Sequence, residues 1–335
     1  MAVPVNKLTI KNNSVVSFLA GVIKDNMMPF RAAVFFIAMM AIFMIAKPDV
    51  FLGFRIYTAV FVSLPLIVFM TIPLVFIISS GQIDLSLSSG FGMGAWAFAA
   101  SVAAGLSPVI GLIAAVLTGV ACGMANGLLI TKVGLSPLIT TLGMNFLLRG
   151  IIHVGRAGYG LSVVQLAGTP FYNVLVGRLG ALPIQMIWAL LFTFIGWLLY
   201  SRHRFGSHIR CVGDNQDSSR EMGIRVDRIK ILAYVYLGIG ASIAGVFSTL
   251  ILYTFYPTAG AGYLLLVLAS VFIGGTPTWG GVGTIFGGLI GALDIAFIET
   301  GIIAIGFTGF WTQVFFGLII VLSLIMHRTY KRAKY

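Results

Sequence analysis

The chain has 335 residues, 59% hydrophobic and 9% charged, with a net charge of +12 and a mean hydropathy of +1.04. Soluble domains carry roughly 25% charged residues, so this composition excludes a soluble surface and places the chain in a bilayer. The apolar runs are long and do not alternate, which selects helices over a barrel. Lys and Arg fall between those runs without aromatic interleaving, which argues against nucleic acid.

Lys7, Lys11 and Lys24 precede the first apolar run, a late start that fits a retained anchor better than a cleaved signal peptide. Residues 14–23 put Val15, Val16, Leu19, Val22 and Ile23 on one helical face, which predicts a short interfacial helix. Ten spans follow, at about 31–46, 57–79, 88–104, 108–130, 137–154, 184–200, 230–251, 263–274, 284–304 and 309–327. A full span needs about 20 residues. The first, third and especially the eighth are short, which predicts broken or re-entrant helices. The expected fold is an all-α polytopic membrane protein: one transmembrane domain over 1–335, with an N-terminal segment at 1–30 and a tail at 328–335.

The basic residues orient it. With the N-terminus in the cytoplasm, one side holds Lys7, Lys11, Lys24, Arg31, Lys132, the seven Lys and Arg of 202–230, Arg328, Lys331, Arg332 and Lys334. The other side keeps Lys47, Arg55, Arg156 and Arg178, with Arg149 near the outer end of its span. That bias is what the positive-inside rule asks for, and it puts both termini and the 202–230 loop in the cytoplasm.

Gly119, Gly123 and Gly127 recur every fourth residue, as do Gly283, Gly287 and Gly291. Such ridges let helix backbones approach closely in lipid, either inside one subunit or at a homodimer seam. A weak internal echo links 78–94 with 273–288, each a polar, glycine-rich break between apolar runs. Paired breaks point to a transport pathway where two halves meet. Candidate pathway residues are Gln82, Asp84, Ser86, Ser88, Phe91, Asn145, Gly275, Thr276, Asp294 and Glu299.

An ionised Asp at the bilayer centre costs at least about 2.5–3.5 kcal/mol. Asp84 therefore either caps the third span, with Ser86 and Ser88, or meets a solute. Asp294 and Glu299 either bind a proton or cation, or are satisfied by internal bonds such as those from Asn126, Asn145 or Gln313. Arg149 pairs with an acid or snorkels outward. Trp96, Trp279 and Trp311 fit an interfacial belt. Cys122 and Cys211 are too far apart in sequence to suggest a disulfide or metal site, and His153, His203, His208 and His327 show no ligand spacing. The chain has no phosphate loop, no His-Glu-x-x-His and no Gly-x-Ser-x-Gly, so no catalytic residue is expected.

Within 202–230, Asp214 is the expected N-cap of a single short helix over Asn215–Met222, with Gly223 as its stop and Ser218, Ser219, Arg220 and Glu221 exposed. Lying along the cytoplasmic face, it is a lever that a soluble motor could push. The competing reading is a solvated loop held by anionic lipid.

Three stretches together resemble the ribose-type sugar permeases of bacterial ABC importers. They are Gly81-Gln-Ile-Asp-Leu-Ser86; Val212-Gly-Asp-Asn through Gly223-Ile-Arg-Val-Asp-Arg-Ile-Lys230; and Ile273-Gly-Gly-Thr, Gly280-Gly-Val-Gly-Thr and Trp311-Thr-Gln-Val. The resemblance implies an inner-membrane permease subunit paired with a second one, in a homodimer or heterodimer, and supplied by a periplasmic solute-binding protein. A separate cytoplasmic ATPase would bind ATP and magnesium, and this chain no cofactor. Gly213, Asp214, Asn215, Ser218, Ser219, Arg220, Glu221 and Gly223 would then contact the ATPase. Two positions depart from the family: Gln82 stands where a second glycine is usual, and Glu299 where paired asparagines are common. Importers of nucleosides or branched-chain amino acids, and an ion-coupled transporter using Asp294 or Glu299, are the rival readings.

Overall fold

A computed structural model describes the main chain of residues 27–334. The expected interfacial helix at 14–23 lies outside the described residues. Ten helices stand where the ten spans were expected. They are α1 (Met27–Ala46), α3 (Phe54–Ser79), α4 (Leu87–Ala103), α5 (Pro108–Thr131), α6 (Pro137–Arg156), α8 (Gln185–Trp197), α11 (Val226–Leu252), α12 (Tyr263–Ile273), α13 (Ile285–Ala304) and α14 (Phe310–Lys334). Four short helices fill links: α2 (Pro48–Phe51), α7 (Pro170–Val176), α9 (Arg204–Asp214) and α10 (Gln216–Glu221). Among the described residues five helices, α3, α5, α6, α11 and α13, are long and apolar enough to cross a membrane. The chain is an all-α polytopic membrane protein.

Helix α3 is the axis of the bundle. Every residue from Leu64 to Ser79 is buried, and α11, α13, α8 and α12 surround it. Its two internal prolines, Pro65 and Pro73, are tolerated because neighbouring helices shield the freed backbone groups.

Lipid offers no hydrophobic drive between helices, so small residues decide which backbones meet. The α5 ridge faces α11: a Cβ on Gly119 would strike the Gly238 carbonyl, one on Gly123 the Tyr234 carbonyl, and one on Gly127 would lie 2.8 Å from the Ile231 Cα. The α13 ridge is used the same way, with Gly287 on the Gly274 carbonyl and Gly291 on the Ser270 carbonyl of α12. Both ridges are consumed inside one subunit, so neither is available as a homodimer seam.

The links gather at two ends. One end carries 80–86, the α5 terminus, 202–225 and 274–284; Lys132 reaches Asp227 there at 2.9 Å. The other carries a short antiparallel pairing of β1 (Leu161–Ser162) with β4 (Thr254–Phe255), a second of β2 (Arg178–Leu179) with β3 (Leu182–Pro183), and α7. Helix α12 has 11 residues, about 16 Å at the helical rise, half of a hydrocarbon core roughly 30 Å thick. The eighth span is thus a half-helix, and the irregular 256–262 segment brings the chain to its start.

Candidate functional site

The first glycine-rich break, the second break and the 202–230 segment meet. The Gly281 N–H donates to the Ser79 carbonyl at 2.9 Å, and the Ser79 hydroxyl donates to the Val282 carbonyl at 3.2 Å. Gly213, at the end of α9, lies in the angle between them: a Cβ there would collide with the Ser79 carbonyl and come within 2.5 Å of the Gly281 nitrogen. A Cβ on Gly280 would fall 2.8 Å from the Gly213 carbonyl and 2.9 Å from the Gly81 nitrogen. Side chains at these positions would hold the three segments apart. Their absence lets main chain rest on main chain, so a shift of α9 bears directly on both breaks.

Gly81 is left-handed, with φ +73°, and Gln82 is not. The turn therefore makes its glycine demand at position 81, and Gln82 in place of a second glycine costs the backbone nothing.

Tyr200 reinforces the junction. It is 2% exposed and lies in a single π turn over Leu198–Arg202, between α8 and α9. Its hydroxyl donates to the Ser79 Oγ at 2.9 Å, while Phe76 packs edge-on and Arg210 lies over its ring at 5.3 Å. Sequence reading missed this residue; an isolated Tyr at a span end carries no signal of a partner 121 positions away.

The 202–230 segment holds two helices where one was expected. Helix α9 buries Ile209 and Val212 and packs Phe205 against the core. That spacing of four and then three residues is a helical face readable in the sequence. Asp214 ends α9 and does not cap the next helix. The cap is Asn215, in extended geometry, whose Oδ1 accepts from the Asp217 and Ser218 N–H groups at 3.0 Å each. Gly223 is the stop, with φ +80°. Ser218, Arg220 and Glu221 are exposed, but Ser219 is buried, its hydroxyl turned back to the Asn215 carbonyl at 2.7 Å. Met222, 65% exposed at the tip of α10, is an apolar contact that sequence reading did not single out. The Lys230 Nζ donates to Gln216 Oε1 at 2.9 Å and ties α10 to α11.

A second cluster lies deeper. Asp84 precedes α4 as an Asx turn: its Oδ1 accepts from the Ser86 N–H at 2.6 Å and the Ser86 hydroxyl at 2.7 Å. Asn126 Nδ2 on α5 reaches Asp84 Oδ2 at 3.3 Å and Ser86 Oγ at 2.7 Å. Asp84 is 3% exposed and fully engaged in ordering the entry to α4. Ser88 bonds Asn145 of α6 at 3.1 Å, and Phe91 stacks on Tyr263 with ring centroids 5.1 Å apart. Arg149 neither pairs with an acid nor snorkels. It donates to the carbonyls of Ala259 at 2.6 Å, Pro257 at 3.4 Å and Ser88 at 3.2 Å, and so fixes the irregular 256–262 segment against the start of α4.

Asp294 departs from both groups. It is fully buried in α13, and among the described residues neither carboxyl oxygen has a hydrogen-bond partner. Asn126 and Asn145 are committed to the Asp84 and Ser88 clusters, so the expected internal bond to Asp294 from either is not made. Glu299 is half-buried five residues further on. Gly275, with φ +87°, and the buried Thr276 belong to the second break. Trp96 packs on Gly155 of α6 within the bundle. Among the described residues no group of three or more His, Cys, Asp or Glu side chains could hold a metal, and Cys122 and Cys211 are free.

A helical bundle with a half-helix, two irregular breaks at one end and a surface helix resting on both fits the class of membrane permeases. The family described as the branched-chain amino acid transport system permease component matches residues 56–324, and the chain belongs to it. It is 33% identical over 292 residues to the D-allose transport system permease protein of Escherichia coli, covering 86% of this chain and 88% of that protein. It is 33% identical over 256 residues to the ribose import permease protein of Bacillus subtilis, covering 76% and 78%. It is 30% identical over 277 residues to the autoinducer 2 import system permease protein LsrD of Klebsiella pneumoniae, covering 78% and 81%. No solved structure matches. The chain is a permease subunit of an ATP-driven importer of the ABC class, and not an enzyme; ATP is hydrolysed by a separate subunit.

Proposed function

We propose that this subunit carries a sugar or sugar-like solute across the bacterial inner membrane, with both termini and the α9–α10 segment in the cytoplasm. The relatives named for allose and ribose import support a sugar over the amino acids in the family's description. The basic residues of 202–230 support the cytoplasmic side. A periplasmic binding protein would deliver the solute to the opposite end, where β1, β4 and α7 lie.

The observation that carries the mechanism is the glycine junction. An ATPase docked on α10 moves α9, and α9 rests at Gly213 on the main chain of both breaks. The breaks then part or close between α3 and α4 and between α12 and α13, which is alternating access. ATP and magnesium stay on the ATPase. A second permease subunit, most simply another copy, would complete the translocation unit.

The test is co-purification of an ATPase with the detergent-solubilised chain, repeated on the Arg220→Glu, Glu221→Arg double variant. The reading requires capture by the wild type and its loss in the variant. A wild type that captures no ATPase and transports without ATP would contradict it.

A further inference from the structure

Beside the lever, a cleft of about 400 Å³ opens between the end of α5, the tip of α10 and the start of α11. Its charged lining is Lys132, Arg220, Arg225, Arg228 and Asp227. Lys132 is neutralised by Asp227 at 2.9 Å, and Arg220 meets Asp217 at 3.3 Å. Among the described residues Arg225 and Arg228 make no ion pair, although both are exposed. Two uncompensated guanidinium groups in one concavity select an anion with several acceptor oxygens, and the planar fork of Arg suits phosphate.

The surroundings decide which phosphate. Leu232 lies four residues after Arg228 on the same face of α11, one turn further into the span, and is 52% exposed. Leu232 is not part of the cleft's lining but follows it along α11, so the cations of the cleft adjoin one exposed apolar side chain on the membrane side. A free phosphate has no use for that apolar neighbour, whereas a phospholipid can meet both. Basic pockets between helices at the cytoplasmic face are suited to anionic headgroups.

We propose that this cleft binds an anionic phospholipid, its phosphate between Arg225 and Arg228 and an acyl chain along Leu232. The lipid would bridge Arg220 of the lever to the α5–α11 pair, so that the lever works from a fixed base only in an anionic bilayer. The cytoplasmic placement rests on the function proposed above, but the binding itself does not.

The experiment is equilibrium dialysis of labelled short-chain phosphatidylglycerol, or phosphatidylcholine, against the full chain in neutral detergent. The wild type should prefer phosphatidylglycerol. Each basic residue contributes about 1 kcal/mol near an anionic surface, so Arg225→Gln, Arg228→Gln should bind about thirtyfold more weakly. Leu232→Asn should weaken lipid binding and leave competition by inorganic phosphate unchanged. Arg202→Gln, Arg204→Gln removes the same charge from the same face outside the cleft and should change affinity by less than about threefold. Equal loss in both double variants, or no loss in either, would overturn the site. Displacement by inorganic phosphate with no preference between the lipids would assign a free anion instead, and release of the lipid on adding the ATPase an acidic docking segment; both outcomes overturn the proposal. The readout uses neither ATP nor transport, so failure of the importer reading would show separately, in the co-purification.

Discussion

Replacing Gly213 with alanine sets two effects of opposite sign against each other. Gly213 is helical, near the end of α9, and alanine in a helix is favoured over glycine by at most about 1 kcal/mol. Against this, the new methyl would strike the Ser79 carbonyl and lie 2.5 Å from the Gly281 nitrogen. Neither is the end of a flexible side chain; both are main chain, in the bond that closes the two breaks on each other. Overpacking of this kind costs about 1–3 kcal/mol, and stretching the 2.9 Å bond from Gly281 to Ser79 adds about 1 kcal/mol. The clash wins, with a net loss of about 1–3 kcal/mol after the propensity gain. The assay is thermal unfolding of the purified chain alongside uptake by the reconstituted importer. Gly213→Ala should melt lower and transport poorly while the ATPase still binds. Gly143→Ala in α6, where a Cβ meets nothing within 4 Å, should melt at the same temperature or higher and transport normally. A Gly213→Ala subunit as stable and active as the wild type would show that the main-chain contact at Gly213 carries neither stability nor transport, as would equal damage from Gly143→Ala.

Tyr200→Phe removes the hydroxyl that holds Ser79 and keeps the ring against Phe76 and Arg210; it should cost about 1 kcal/mol. It should also loosen coupling, with more ATP hydrolysed per solute imported, measured as the ratio of the two rates; an unchanged ratio would remove Tyr200 from the relay. Asp294→Asn should leave ATP-driven uptake within about threefold of wild type, because the carboxyl makes no charged contact that the amide would lose. Loss of all uptake in that variant would restore a direct ionic role for Asp294.

The spans were legible because hydropathy is a local property: α5, α6, α12 and α13 begin within a residue of their expected starts. The short eighth segment was legible as an anomaly, and α12 explains it as a half-helix. The Asp214 cap was misplaced by one residue. Asp and Asn are equally good caps, and only the extended backbone of Asn215, φ −152°, decides between them. Helix α9 was overlooked because its glycines and charges read as a loop, although Phe205, Ile209 and Val212 carry a helical face. The convergence of Gly81, Gly213, Gly280 and Gly281 was not legible at all. Contacts between segments more than 60 residues apart leave no mark on either one. The same holds for Arg149, whose carbonyl partners lie 61, 108 and 110 positions away.

In the proposed mechanism, ATP hydrolysed by a partner drives solute through this chain by way of α9 and α10. The most direct measurement is uptake of a labelled sugar into proteoliposomes containing this subunit, its ATPase and the binding protein, with ATP supplied on the ATPase side. Uptake should require ATP, be indifferent to a proton or sodium gradient, and be lost in the Arg220→Glu, Glu221→Arg variant. Uptake that persists without ATP and follows an ion gradient would contradict that mechanism.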